Sequence, residues 1–455
     1  MRSAITAFFR MALRIFFRRI ELVGMEHVPA ESPVIFACNH PNGLVDPLFL
    51  LCYAGRPVSF LGKAPLFRYP VIGWFVRHFE TIPVYRKQDN TAGSNEETFT
   101  RSHAVLRGCG AIAIFPEGTT HDDPQLRELK TGAARIALGA GVDETIVVPT
   151  GIYYTAKHVF RSSALVVFGD PLRVGNMWGG LQPAEGSGGD GGLKPNGGLK
   201  PNGGLKPAPH GGLTPAIADV ELLTAAIDSG LDAVTVQADS HAALELIGRA
   251  EDIFTANDEQ PLAEEFELRR RFIGGYHYLR AHDPARLARL QSALAQFESS
   301  LRRAKLDVHE LKPSISAAAF FRVAVMLPLA IAGAIASYPA YRLIGFLAKR
   351  FSKGEGAVMA TIKVLAALLL YPLTYVAAAT VVGIRFGWTW GVAIGLALPF
   401  LGYLALIVFE ELDDLIGDVR AIAYRMFRRY GYERLVAQRR AIRDEIMNVA
   451  RELGY

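Results

Sequence analysis

The sequence predicts an α/β fold, a sheet flanked by helices, followed by a helical subdomain and a C-terminal region of hydrophobic membrane helices. Three observations carry this reading. Up to residue 182, short apolar runs ending at Gly, Pro or Asn alternate with amphipathic stretches, as strands covered by helices do. Residues 216–312 repeat apolar positions at helical spacing with acids and bases between them. Beyond 313 the chain carries uncharged runs of membrane-spanning length. Composition narrows the class further. Half of the 455 residues are hydrophobic, which excludes a disordered chain. A balance of 49 basic to 44 acidic residues, +5 overall, is too even to imply a nucleic-acid partner. Cys38, Cys52 and Cys109 show no paired ligand spacing, so no metal is expected and a reducing, cytoplasm-facing setting fits.

Residues 1–20 hold five arginines and no acid. Arg10, Arg14 and Arg18 form one stripe of a helix and Ile5, Phe8, Ala12, Ile15 and Phe16 fall elsewhere, the pattern of an amphipathic membrane-surface helix; docking on its own domain is the alternative. Residues 21–182 form the α/β unit, with strands expected at Val34–Cys38, Ile82–Tyr85, Ala111–Phe115, Ile146–Thr150 and Ala164–Phe168. Helices are expected near Glu97–Arg107 and Lys130–Gly139. Residues 183–215 repeat the unit GGLKPN and read as a flexible linker. Within 313–410, uncharged stretches of 19, 21 and 24 residues occupy 323–341, 364–384 and 386–409. The last two can span about 30 Å of hydrocarbon. Pro328 and Pro339 interrupt the first, which is expected to be re-entrant or spanning. Residues 411–455 close the chain with a cytoplasmic helix.

The sharpest chemical signal is Asn39-His40-Pro41-Asn42-Gly43-Leu44-Val45-Asp46, directly after an apolar strand. The Pro-Asn-Gly turn can bring Asp46 back to the His40 ring, and a histidine held by a carboxylate offers its other nitrogen as a general base. No serine accompanies the pair, so the nucleophile would be a substrate hydroxyl. Three more blocks end expected strands: Ile82–Arg86, Phe115–Thr120 and Val148–Gly151. Strand ends on one edge of an open sheet are where such folds bind ligands. Arg86 suits a phosphate, because its guanidinium bonds two oxygens at once. Gly118 allows close backbone approach, and its amide with the Thr119 hydroxyl could bond the same anion; Glu117 could orient Arg86 or a substrate hydroxyl.

With these blocks in this order, residues 34–175 resemble the membrane-bound glycerolipid acyltransferases, whose marks are an N-H-(four residues)-D block, a block ending in arginine, F-P-E-G-T and a V-P block. Here five residues separate His40 from Asp46, which is similar to the glycerol-3-phosphate/dihydroxyacetone-phosphate acyltransferase subgroup. The resemblance implies an acyltransferase-type sheet with His40 and Asp46 catalytic and Asn39, Arg86, Glu117, Gly118 and Thr119 binding the acceptor. It implies acyl-CoA or acyl-carrier protein as co-substrate with no resident cofactor, glycerol-3-phosphate or dihydroxyacetone phosphate as acceptor, a membrane lipid environment and a cytoplasm-facing catalytic unit. A lysophospholipid acyltransferase, most simply one using 1-acylglycerol-3-phosphate, is the alternative. A catalytically dead lipid-binding scaffold would lack His40 or Asp46; a transporter would carry charge within its last two apolar runs, which have none.

Overall fold

The computed structural model describes residues 2–68, 70–85, 95–157, 159–175, 215–256, 260–312, 316–352 and 356–454. Arg86 and all but the last residue of the expected 183–215 linker lie outside the described residues.

After helix α1 (Arg2–Phe16), eight strands form one sheet among the described residues. They are β1 (Arg19–Val23), β2 (Val34–Cys38), β3 (Val58–Lys63), β4 (Ile82–Val84), β5 (Ala111–Ile114), β6 (Ile146–Tyr154), β7 (Ser163–Phe168) and β8 (Leu172–Arg173). The order is β1-β7-β6-β2-β5-β3-β4, with β8 also paired to β6. Ladders from β6 through β2, β5 and β3 to β4 are parallel, whereas β7 runs antiparallel to β6. The parallel strands therefore end on one edge.

β2 is buried along its whole length, as the centre of a parallel sheet covered on both faces must be. Its side chains alternate. Val34, Phe36 and Cys38 enter a core with α1 and α2 (Val45–Tyr53), which also takes Val364 from the membrane region. Ile35 and Ala37 face the opposite core, built with α4 (Asn95–Arg107), α5 (Gly132–Gly139) and α6 (Ile217–Ala233). The first helix after the linker thus covers the sheet.

α1 packs on this domain through Phe9, Leu13 and Phe16, which are buried, while Arg10 donates to the Cys52 carbonyl at 2.6 Å. Phe8 and Met11 stay exposed, so an apolar rim remains beside the arginines. The helical subdomain comprises α7 (His241–Thr255), α8 (Leu262–His282) and α9 (Pro284–Ala304), and α13 (Arg429–Glu452) returns to complete its core around Leu294, Phe297, Leu435 and Ile442. α8 docks on the sheet through Phe266, against Leu165 and the Tyr153 ring.

Among the described residues, three helices are long and apolar enough to cross a membrane: α10 (Ala317–Phe351), α11 (Gly356–Phe386) and α12 (Trp388–Phe427). α11 and α12 turn back on each other at Gly387, with Trp388 against Gly383, Gly391 against Ala379 and Gly402 against Tyr375. Both feet of this hairpin stand on the sheet domain. At one, the Leu44 amide donates to Thr361 Oγ1 at 3.2 Å. At the other, Arg161 grips Glu410 with two hydrogen bonds of 2.6 and 3.0 Å. α10 is one continuous 35-residue helix that keeps both Pro328 and Pro339 inside it. It begins beside α12, where Arg322 pairs with Glu411, crosses the hairpin where Ser337 meets Tyr375 at 2.9 Å, and ends near α11, with Lys349 close enough to Lys363 for their charges to interact.

Candidate active site

The site forms where β2 and β5 end. Two residues past β2, His40 turns its ring back so that Nδ1 lies 2.8 Å from Asp46 Oδ2. The ring stacks on Phe115, just past β5, with centroids 4.1 Å apart. With Nδ1–H bonded to the carboxylate, Nε2 is the nitrogen left to accept a proton. The expected dyad is therefore assembled.

Asp46 sits in the first turn of α2, where peptide dipoles favour a carboxylate, and is fully buried. Oδ2 also accepts from the Asn42 amide at 2.7 Å, and Oδ1 accepts from the Tyr154 hydroxyl at 2.6 Å. Burial pushes its carboxyl above the usual range; the bonds from His40, Tyr154 and Asn42 act against that rise. Burial beside Asp46 drives the Tyr154 phenol well above its ordinary value, so Tyr154 remains the donor.

Tyr154 was not expected in the site. Val148-Pro149-Thr150-Gly151 reads as a strand end, but β6 runs on to Tyr154. The misreading has a physical cause: β6 pairs with β2 only as far as Thr150 and thereafter with β7. Strand alternation puts Val148, Ile152 and Tyr154 on one face, the α2 face, which is the signal that could have found it.

Other expected residues take positions of a different kind. Asn39 bonds the backbone of Ile152 from both ends of its amide, at 2.7 and 3.1 Å, and so prolongs the β2–β6 ladder up to His40. Glu117 is buried, and its carboxylate accepts from the His40 amide at 3.0 Å, the Arg127 amide at 3.0 Å and the His121 ring. Both residues brace the catalytic turn from within the protein. The Gly118 amide donates to the Phe115 carbonyl at 2.9 Å. Gly118 has φ of 73°, and a Cβ there would collide with the Lys130 side chain, whose ammonium lies over this turn. Lys130 thus brings a positive charge to the edge that holds His40. Thr119 is half-buried on the same turn, with its hydroxyl 3.4 Å from the Thr120 carbonyl.

A histidine at a sheet edge, held by a buried carboxylate, suits the class of enzymes that draw a proton from an acceptor hydroxyl. Comparison with known proteins narrows that class. Residues 19–153 match the acyltransferase family, and residues 253–454 match the family described as glycerol-3-phosphate acyltransferase 2 C-terminal domain. Residues 19–153 thus form an acyltransferase-family domain, and the chain is an acyltransferase enzyme. Among its relatives, glycerol-3-phosphate O-acyltransferase 1 of Saccharomyces cerevisiae is 25% identical over 572 residues, covering 96% of this chain and 69% of that protein. Glycerol-3-phosphate O-acyltransferase 2 of the same yeast is 25% identical, covering 73% of this chain and 45% of its own length. A chloroplast 1-acyl-sn-glycerol-3-phosphate acyltransferase of Arabidopsis thaliana is 29% identical over 31% of this chain and 38% of its own. A crystal structure of a 1-acyl-sn-glycerophosphate acyltransferase from Thermotoga maritima aligns over 38% of this chain and 68% of its own with 20% identity and a TM-score of 0.31.

Proposed function

We propose that this chain transfers a fatty acyl group from acyl-CoA or acyl-carrier protein to a hydroxyl of glycerol-3-phosphate or dihydroxyacetone phosphate, in phospholipid synthesis. The observation that carries the chemistry is the 2.8 Å His40–Asp46 contact at the sheet edge. His40 Nε2 takes the acceptor's hydroxyl proton as the oxygen attacks the thioester carbonyl. Asp46 steadies the charged ring. The tetrahedral intermediate collapses with loss of the thiolate, which takes the proton back from His40.

The acceptor's identity rests on coverage. The yeast glycerol-3-phosphate acyltransferase resembles 96% of the chain, including the helical and membrane regions, while the 1-acylglycerol-3-phosphate enzyme resembles 31%. Arg86, Thr119 and Lys130 are the groups we assign to the acceptor's phosphate. A guanidinium is matched to two phosphate oxygens, and the Lys130 ammonium adds a point charge. The acyl donor, the phosphorylated acceptor and membrane lipid are accordingly the partners.

The decisive experiment uses membranes holding the full chain, a labelled acyl donor, and acceptors with and without phosphate. Glycerol-3-phosphate should be acylated and glycerol should not. His40→Ala should lower kcat by about 10²–10⁴-fold, the usual worth of a general base, with the protein still inserted. Turnover close to wild type in His40→Ala would remove the dyad from the mechanism.

We further propose that the sheet domain lies on the cytoplasmic side of the bilayer. Lys349, Arg350 and Lys363 flank the hairpin on one foot and Arg420, Arg425 and Arg428 follow the other, as positive flanks retained inside do.

A further inference from the structure

A cavity of about 280 Å³ lies between α7, α8, α9 and α13, lined by none of the dyad residues. Leu246, Phe254, Leu268, Leu294, Met447 and Leu453 are among its walls. Protein interiors pack as tightly as organic crystals and rarely keep a void larger than a water molecule. This space opens to one side, and its apolar walls offer water few hydrogen bonds, so it fits an apolar ligand. Its rim is of another character. Arg271 and Gln291 border it, and the Arg443 guanidinium stands 5.0 Å from the centre of the Phe254 ring in its wall.

We infer that this cavity in the C-terminal helical subdomain binds a single fatty acyl chain with an anionic head, the chain between the four helices and the head at Arg271 and Arg443. A free fatty acid and a lysophosphatidate share that chemistry. The inference does not depend on the acceptor proposed above, because its test requires no turnover.

The full chain in lipid nanodiscs would be irradiated with palmitate carrying a diazirine near its methyl end, and the adducts mapped by peptide. Adducts should fall on the wall residues of α7, α8, α9 and α13. Gly275 faces the cavity, and a Cβ there meets only Val449 and Leu453, at 3.6 and 4.0 Å, which is ordinary contact. Gly275→Leu should fill the space and cut adduct yield by about tenfold or more, since each excluded methylene is worth about fourfold in affinity. Arg271 is exposed, so Arg271→Glu should fold normally. It should weaken labelling by the palmitate probe and leave labelling by a neutral diazirine hexadecanol unchanged. Unlabelled palmitate and lysophosphatidate, added in separate arms, identify the source by which one competes. Adducts elsewhere, equal yields in Gly275→Leu and wild type, or failure of both competitors would overturn the inference. Should Gly275→Leu not fold, Arg271→Glu decides alone, and equal loss or no loss with both probes overturns it.

Discussion

The Asp46 carboxylate has three hydrogen-bond partners and only one of them is the histidine. The Tyr154 hydroxyl bonds the oxygen opposite His40, so it fixes the carboxylate's tilt and holds its negative charge in a fully buried place. Tyr154→Phe leaves Oδ1 without that donor. A hydrogen bond to a charged group contributes about 1.5–3 kcal/mol, so both stability and turnover should fall. Without it, burial lifts the Asp46 carboxyl further, and the pH below which turnover is lost should move higher. A fall in Tm with an unmoved pH profile would make Tyr154 a packing residue only. The dyad itself was legible because Pro-Asn-Gly compels a turn directly after an apolar strand. The bracing roles of Asn39 and Glu117 were not. Polar side chains at a ligand-binding edge read as ligand contacts in sequence, and only three-dimensional neighbours such as the Ile152 backbone and His121 show where their bonds go.

At the scale of elements, the turn between His40 and Asp46 is joined to α11. A Cβ on Gly43 would stand 3.1 Å from Thr361 Oγ1, tighter than ordinary contact. Gly43→Ala should therefore displace the turn and lower kcat. Thr361→Ala removes the acceptor of the Leu44 amide but also makes room. The double variant should be more active than the two single losses predict, a non-additivity read by a double-mutant cycle with the labelled-donor assay. Strict additivity would place the two residues in separate roles. Between α7 and α8, burial lifts Glu251 from an ordinary 4.5 to about 7, with Arg269 opposing. Above pH 4.5 the unfolded chain gives up this proton, while the fold keeps it until about pH 7. Stability should therefore fall across that window by about 3 kcal/mol and level off above it. Apparent Tm should drop between pH 5 and pH 7.5 in the wild type, and less in Glu251→Gln. Strands β1 and β3 escaped the sequence reading for local reasons: Arg19–Val23 follows an arginine-striped helix directly, and Val58–Lys63 mixes Ser and Gly into a run too short to alternate clearly.

For the whole molecule, hydropathy and contacts point in different directions. By length and composition α10, α11 and α12 can each cross a membrane. Contacts constrain direction as well as length, and they place both ends of α10 beside the two feet of the hairpin. With the sheet domain on the cytoplasmic side as proposed above, that placement favours two crossings, by α11 and α12, with α10 lying across them. A cysteine at position 387 should react with an impermeant reagent applied to intact cells. Cysteines at 316 and 454 should react only after permeabilisation. External labelling at 316 would require α10 to cross. The two last apolar runs were legible as helices of membrane-spanning length because 21 and 24 uncharged residues follow each other without a break. The path of α10 was not, because prolines in a helix mark neither a bend nor a depth by themselves.

The hairpin's two feet also tie chemistry to the thickness of the membrane. At 1.5 Å per residue, the uncharged run 364–384 makes an arm of about 32 Å, matched to a hydrocarbon layer of about 30 Å. An arm so matched would lean in a bilayer of shorter lipid tails. One end of it carries Thr361, which holds the turn between His40 and Asp46. On the function proposed above, the slant of that rod would reach a proton-accepting ring, so turnover should change with lipid-tail length when the full chain is assayed in vesicles of graded thickness.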